Sequence, residues 1–205
     1  REIKTSKANK RIVPFGTFVG GKPVPLVTKI VKPNQKLKVG TQEIVFHELP
    51  AHHSHSDLAV FLPKHGILMA VDLVWPGWVP FERLGTTNDV AAYIAAHESI
   101  LKMQWDVMVS GHVGRLATRA DVETNREYIN DILAAGAKSL QTIDYMSAAK
   151  KSGFDNPFLT VETYLDMVSR SAADEVEKKW GSRLAGSDIW TYANCRAAIM
   201  YLRLY

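Results

Sequence analysis

Residues 47–72 read HELPAHHSHSDLAVFLPKHGILMAVD, and the interpretation of the whole chain starts from this stretch. Four of the seven histidines lie within its first nine residues, at positions His47, His52, His53 and His55. Each imidazole brings polar nitrogens that need partners, so soluble domains rarely crowd histidines for packing alone. The stretch therefore predicts a metal site built on the ends of strands. Two alternatives stay open, a solvated His-rich loop and a structural histidine cluster.

The segments around this stretch predict an α/β fold. Strand-like runs rich in apolar and β-branched residues occur at 11–21, 22–33, 37–49, 58–74 and 105–112. The runs at 37–49 and 58–74 are each broken by a short turn and predict hairpins; the second is mostly apolar and predicted to be central in a sheet. Helices are predicted to begin at Thr87 and at Thr118. Strand hairpins followed by strand–helix alternation are typical of α/β proteins.

From about Gly136 onward the pattern is helical to the end of the chain. We therefore predict two parts, an α/β domain over residues 1–135 and a helical extension over residues 136–205. The apolar stripes of the extension are typical of a core or a subunit interface. We hypothesise that they pack on the same chain or on a second copy, which would give a homodimer.

Composition narrows the class of protein. The chain is 46% hydrophobic and carries a net charge of +4, with ten Lys/Arg in residues 1–38. These lysines lack aromatic interleaving or a binding motif, so a solvated strand face is favoured over nucleic-acid binding. No apolar run is long enough for a membrane span. The single cysteine, Cys195, excludes an internal disulfide and leaves the compartment of this soluble chain, periplasmic, secreted or cytoplasmic, undecided.

Three groups able to bind a metal follow predicted strands. They are the histidine cluster after IVFHELP, Asp72 after ILMAV, and His112 after VMVSG. Side chains at one edge of a sheet can converge on one point. Imidazole together with carboxylate suits zinc, and also iron or manganese in related sites.

These residues resemble the metallo-β-lactamase-fold hydrolases over roughly residues 36–135. The family has a strand leading to Pro-Gly/Ala-His-Thr/Ser-x-x-Asp, then a hairpin ending in Asp, and later a Gly-His turn. This chain has PAHHSHSD at 50–57, GILMAVD at 66–72 and VMVSGHVG at 107–114. The resemblance implies an α/β fold of the αββα-sandwich type, of which this chain would hold mainly the C-terminal β/α half.

By the same resemblance, His53 would bind the first metal, His112 the second, and Asp72 would bridge them. These three would be the catalytic set of a zinc-dependent hydrolase with two zinc ions, iron or manganese being alternatives. Hydroxide from the dinuclear site would attack the carbonyl of a small-molecule substrate. Ser54, Asp57 and His55 are candidates for orienting the ligands.

One departure from the family pattern is decisive. The signature His-x-His-x-Asp-His should lie well upstream, yet residues 1–46 contain no histidine and no aspartate. Residues 53–57 could be read as that signature, although Leu58 replaces its final histidine. The favoured interpretation is a C-terminal half whose N-terminal half is missing or is a separate chain. Such a half-site should bind zinc poorly.

The substrate is suggested by three aromatic residues after the bridging carboxylate: Trp75, Trp78 and Phe81. Family members that act on β-lactams often have a lysine where Trp75 stands. The aromatics predict an apolar pocket for an ester, a lactone or a similar substrate, unless they only cover the core. The alternatives are a metal-poor, inactive binding or scaffolding module of the same fold and, second, a β-lactam hydrolase.

Overall fold

The computed structural model describes residues 30–204. The account below concerns the compact unit formed by residues 33–205. The strand predicted at 11–21, and most of the one predicted at 22–33, lie outside the described residues.

One mixed sheet forms the first layer of the unit. Its strands are β1 (Lys36–Val39), β2 (Gln42–Glu48), β3 (Leu58–Leu62), β4 (Ile67–Met69) and β5 (Val107–Val109). They are ordered β1-β2-β3-β4-β5, with antiparallel pairing up to β4 and parallel pairing between β4 and β5. Strands β2, β4 and β5 therefore all run in the same direction and end at one edge of the sheet. Both predicted hairpins are confirmed.

The two faces of the sheet differ in burial. Ala59, Leu68 and Met108 lie on one face and are fully buried in the core. Side chains alternate between faces along a strand, so the neighbouring residues Leu58 and Met69 lie on the opposite face. These two are 43% and 41% exposed although they are apolar.

Over the described residues the chain also has five long helices, the first of which lies between β4 and β5. They are α1 (Val90–Leu101), α2 (Arg119–Thr142), α3 (Tyr145–Ser152), α4 (Pro157–Trp180) and α5 (Ser187–Leu204). Asp89 caps α1, and Thr118 caps α2 through a capping box with Asp121, as expected for polar residues before apolar periodic segments. Among the described residues no helix is long and apolar enough to cross a membrane.

The helical layer and the sheet share one hydrophobic core. Its members include Leu68 and Met108 from the sheet, Ile132 from α2, Val168 from α4 and Ile199 from α5. Position 136, where the sequence suggested a boundary, falls inside α2. The division into two domains there stays a prediction.

The predicted strand at 67–74 is wrong in its extent. β4 ends at Met69, and Asp72 lies in a turn with φ of +62°. Leu73 and Trp75 are nevertheless buried, at 0% and 1% exposure. An apolar run of this length does not distinguish a strand from a buried irregular segment, which is why the pattern extended the strand too far.

A left-handed turn, Glu82–Thr86, leads into α1. Arg83, Leu84, Gly85 and Thr86 all have positive φ, between 55° and 70°. Such a conformation costs roughly 1–2 kcal/mol for each residue with a Cβ, so the turn needs support. Fully buried Asn194 of α5 supplies it, because its Oδ1 accepts from Leu84 N at 2.6 Å and its Nδ2 donates to the Pro80 carbonyl at 2.8 Å.

We predict that Asn194→Ala lowers the free energy of unfolding by about 2–4 kcal/mol, because it leaves a buried amide and a buried carbonyl unpaired. Chemical denaturation measures the loss. The matched control is Asn130→Ala, since Asn130 is exposed on α2 and its removal should change stability by no more than about 0.5 kcal/mol. Equal, small losses in both variants would show that α5 does not support the turn.

Candidate functional site

The structure brings three of the predicted site residues together at the edge of the sheet. His53 lies in the loop after β2, Asp72 in the turn after β4, and His112 in the turn after β5. His53 Nε2 lies 3.5 Å from Asp72 Oδ2, and His112 Nε2 is in direct hydrogen-bond contact with Asp72 Oδ1. The side chains are 36%, 25% and 41% exposed, respectively, so the group is open to solvent.

The carboxylate of Asp57 shapes the loop that carries His53. Its oxygens accept hydrogen bonds from the backbone amides of His52, His53 and Ser54, at 2.7–2.9 Å for the shortest contacts, and from Ser54 Oγ at 2.6 Å. Burial alone would raise the pKa of Asp57, but these donors outweigh it and the pKa lies below its ordinary value. Ser54 and Asp57 thus fix the backbone at His53, whereas His55 is exposed.

The ring of His53 is oriented by the left-handed turn. Its Nδ1 lies 3.1 Å from the Gly85 carbonyl oxygen. Because a carbonyl oxygen can only accept a hydrogen bond, Nδ1 carries the hydrogen, and Nε2 is the ring nitrogen that faces Asp72. Gly85 is required at this point. It has φ of +70°, and an added Cβ would lie 2.2 Å from Trp75 Cη2.

Backbone strain surrounds the other two residues. Asp72 has φ of +62° and Val113, directly after His112, has φ of +60°. A β-branched residue rarely adopts this conformation, and such strain concentrates at functional sites. Gly111 precedes His112 with φ of +87°, and an added Cβ there would lie 2.5 Å from Val71 Cγ1. The Ser-Gly-His turn therefore needs its glycine.

The three predicted pocket aromatics differ in position. Trp75 is 1% exposed, and its ring plane is parallel to that of His112 with centroids 6.3 Å apart. Phe81 is tilted against His112 at 5.5 Å, and Trp78 is 39% exposed. Trp75 and Phe81 thus fix the ring of His112 from the protein side. Their assignment to a substrate pocket stays a prediction.

Comparison with known proteins shows which fold the chain has. No protein-family model and no curated protein sequence matches the chain. Among solved structures, a metallo-β-lactamase family protein from Thermus thermophilus matches 89% of the chain at 16% identity, with a TM-score of 0.51. A β-lactamase domain protein from Burkholderia ambifaria matches 100% at 13% identity, with a TM-score of 0.52. The chain has the metallo-β-lactamase fold.

A further match extends over the helices. The structure of a double mutant of the sec-alkyl sulfatase PisA1 aligns with 90% of the chain, at 17% sequence identity and with a TM-score of 0.55. The chain spans 50% of the Thermus protein, 54% of the Burkholderia protein and 28% of the sulfatase. It therefore corresponds to about half or less of these metallo-β-lactamase-fold structures.

The donors at this site suit a metal in type but do not form a complete set. Ligand atoms arranged tetrahedrally at about 2.1 Å from zinc lie about 3.4 Å from one another. The separation between His53 and Asp72 is close to that value, whereas His112 is bonded directly to Asp72. Over residues 30–204 no three His, Cys, Asp or Glu side chains are arranged to hold an ion. These residues fit part of a metal site.

His52 has a structural environment that the sequence did not reveal. It is 1% exposed, its Nδ1 donates to the Pro50 carbonyl at 2.9 Å, and its ring packs on Tyr93 with centroids 5.7 Å apart. The ring of His97 packs edge-on against Tyr93, with centroids 4.7 Å apart. Burial lowers the pKa of His97 to about 4. Two of the chain's histidines thus belong to a buried cluster beside the site.

A cavity lies beside the left-handed turn. It has a volume of about 670 Å³, and its lining includes Arg83 and Asn88 near the turn and Tyr192, Arg196 and Met200 from α5. His53, Asp72 and His112 are not among the residues that line it. Sequence analysis had no signal for this cavity, because it depends on how α5 packs against the turn.

The loop after His112 is fixed by an ion pair that the sequence analysis missed. Arg115 donates to both carboxylate oxygens of Asp121, at 2.8 and 2.6 Å, while Asp121 also accepts from Thr118 N at 2.8 Å. The Arg115 guanidinium lowers the pKa of Asp121 to about 2. The Thr118-x-x-Asp121 spacing of a capping box was the available signal.

We predict that this carboxylate makes folding stability dependent on pH. Because the folded pKa of Asp121 is below its ordinary value of 3.8, its stabilisation of about 2 kcal/mol is present above pH 4 to 5 and is lost as the pH falls toward about 2. Urea unfolding of the wild type and of Asp121→Asn from pH 6 to pH 2 should give curves that converge at the acid end. Asp155→Asn is the control, because Asp155 is exposed and its removal should not change the pH dependence. A difference in unfolding free energy between the wild type and Asp121→Asn that stays constant down to pH 2 would contradict the prediction.

Proposed function

We propose that this chain is the C-terminal half of a metal-dependent hydrolase of the metallo-β-lactamase fold. The observation that carries the proposal is the convergence of His53 and His112 on the carboxylate of Asp72, each of the three following a different strand. The proposed substrates are esters, lactones or similar carbonyl compounds.

Each of the three residues has a defined part. Asp72 would contribute its carboxylate to hold the metal, and His53 and His112 would contribute their imidazoles. A bound zinc ion lowers the pKa of water, which makes hydroxide available near neutral pH. The hydrogen bond from His53 Nδ1 to Gly85 and the parallel Trp75 ring hold the two imidazoles in fixed orientations.

The aromatic residues near the site support an apolar substrate. Phe81 packs on His112. Trp78, three residues before Phe81 in the chain, is 39% exposed. The structurally similar sulfatase is named for sec-alkyl sulfates, whose alkyl groups are also apolar. Sulfate esters therefore belong in any substrate panel beside lactones, carboxylic esters and β-lactams.

The outer face of the sheet supports the proposal that an N-terminal half is missing. Its apolar members are Leu37, Val39, Ile44, Phe46, Leu58, Val60, Leu62, Ile67, Met69, Val107 and Val109. None of them is fully buried, in contrast to Ala59, Leu68 and Met108 on the inner face. A sheet normally buries its apolar face against another layer. A second sheet from the N-terminal half would cover this face and could bring further ligands to the same edge.

A second candidate function is a metal-poor binding or scaffolding module of the same fold. It is favoured by the direct hydrogen bond between His112 Nε2 and Asp72 Oδ1, which pairs these two atoms without an ion. The two proposals differ in what the N-terminal half adds. For the hydrolase it completes a metal site, whereas for the module it adds only a layer of structure.

We predict that the 205-residue chain retains little zinc after dialysis, because the described residues supply only three donors for two sites. The longer polypeptide that includes the proposed N-terminal half should retain about two zinc ions per chain. Elemental analysis of both proteins measures this directly. Tight, stoichiometric zinc in the 205-residue chain would contradict the half-site.

The longer polypeptide should also hydrolyse at least one member of the substrate panel. Asp72→Asn should lower kcat/KM more than about a hundredfold, beyond the 10–100-fold typical of groups that only orient ligands. His65→Gln is the matched control, since His65 lies on a surface turn and bonds Gln42. A longer polypeptide that folds but neither binds zinc nor turns over any ester would favour the scaffolding module.

A further inference from the structure

The segment between the left-handed turn and α1 contacts the backbone of the His53 loop. Asn88 Nδ2 donates to the His53 carbonyl at 2.8 Å, and Asn88 N donates to the His52 carbonyl at 2.8 Å. Thr87 Oγ1 also donates to the His52 carbonyl, at 2.7 Å. These contacts join segments more than thirty residues apart in the chain.

Helix capping does not account for these side chains. The capping residue of α1 is Asp89, whose Oδ1 accepts from Ala92 N at 2.9 Å. Thr87 is buried, at 8% exposure, and its shortest hydrogen bond is to His52 rather than to its own helix. The Thr87 and Asn88 side chains are therefore available to act on the loop.

The same segment contacts His53 at a second point. Gly85 accepts from His53 Nδ1 at 3.1 Å, while Asn88 binds the main-chain carbonyl of the same residue. Holding a residue at both its backbone and its ring limits rotation about the bonds between them. Because the His53 side chain is 36% exposed, packing alone does not fix its ring, and these hydrogen bonds are needed.

α1 also reaches the segment that carries Asp72. Fully buried Tyr93 donates from its hydroxyl to the carbonyl of Leu73, the residue after Asp72, at 3.1 Å. α1 and the segment that precedes it thus contact both the His53 backbone and the residue after Asp72. The spacing between the two groups depends on this helix.

We propose that Thr87 and Asn88 are positioning residues that fix the His53 ring with Nε2 toward Asp72, an inference that rests on the proposed function for its purpose but not for its geometry. Loss of the Asn88 side chain frees the His53 carbonyl, and loss of the Thr87 hydroxyl leaves the His52 carbonyl with the backbone amide of Asn88 as its donor. Either loss loosens the loop and lets the ring leave Gly85. The neutral ring then no longer keeps its hydrogen on Nδ1 alone.

The test is the tautomer of His53 in the 205-residue chain, from long-range proton–nitrogen NMR correlations at about pH 8.5, where a free imidazole is neutral. The wild type should show hydrogen on Nδ1. Asn88→Ala and Thr87→Val should each shift His53 toward a mixture of tautomers. Thr87→Ser, which keeps the hydroxyl, should restore the wild-type pattern, and Asn130→Ala should leave it unchanged.

Zinc affinity of the longer polypeptide provides a second measurement. Asn88→Ala and Thr87→Val should weaken binding about 10–100-fold, as is usual for groups that orient metal ligands. An unchanged His53 tautomer in both variants would overturn the proposal, and so would unchanged zinc affinity. Loss of the folded near-ultraviolet circular dichroism in Thr87→Val as well as in Asn88→Ala would also overturn it, because the role would then be purely structural.

The two proposals can fail separately. If the tautomer shifts as expected but even the wild-type longer polypeptide binds no zinc, the positioning role stands and the hydrolase proposal fails. If that polypeptide binds zinc with equal affinity in all variants, the positioning role fails and the hydrolase proposal stands.

Discussion

The common direction of β2, β4 and β5 is the constraint on which the candidate site depends. Antiparallel pairing of β3 with both neighbours, and parallel pairing of β4 with β5, place the carboxyl ends of these three strands at one edge. The chain leaves the sheet there three times, and each exit carries one of His53, Asp72 and His112. A strand running in the opposite sense would send its ligand to the far edge.

Convergence alone does not set the geometry, because all three residues lie outside regular structure. Their backbone is held by side chains. Asp57 gathers the amides before His53, and Asp121 with Arg115 fixes the loop after His112. Asn194 supports the left-handed turn that faces His53. Such side-chain hydrogen bonds substitute for the ladder bonds that loops lack.

Much of the layout could be predicted from the sequence, since it follows from local patterns. The hairpins, the starts of α1 and α2, and the order of the segments that carry His53, Asp72 and His112 depend on apolar periodicity and on capping residues such as Thr118. The end of β4 and the burial of His52 could not be predicted, because they depend on contacts with distant helices. The left-handed turn had no local signal either, as Arg83 and Leu84 rarely adopt positive φ and do so here through Asn194 of α5.

The central claim is that His53, Asp72 and His112 form one half of a metal site. Anomalous diffraction at the zinc edge from crystals of the longer polypeptide tests it most directly. The claim predicts anomalous peaks within about 2.2 Å of His53 Nε2, of an Asp72 oxygen and of a His112 nitrogen. Peaks on His52, His55 or His97 instead, or none at a zinc concentration that saturates the protein, would contradict it.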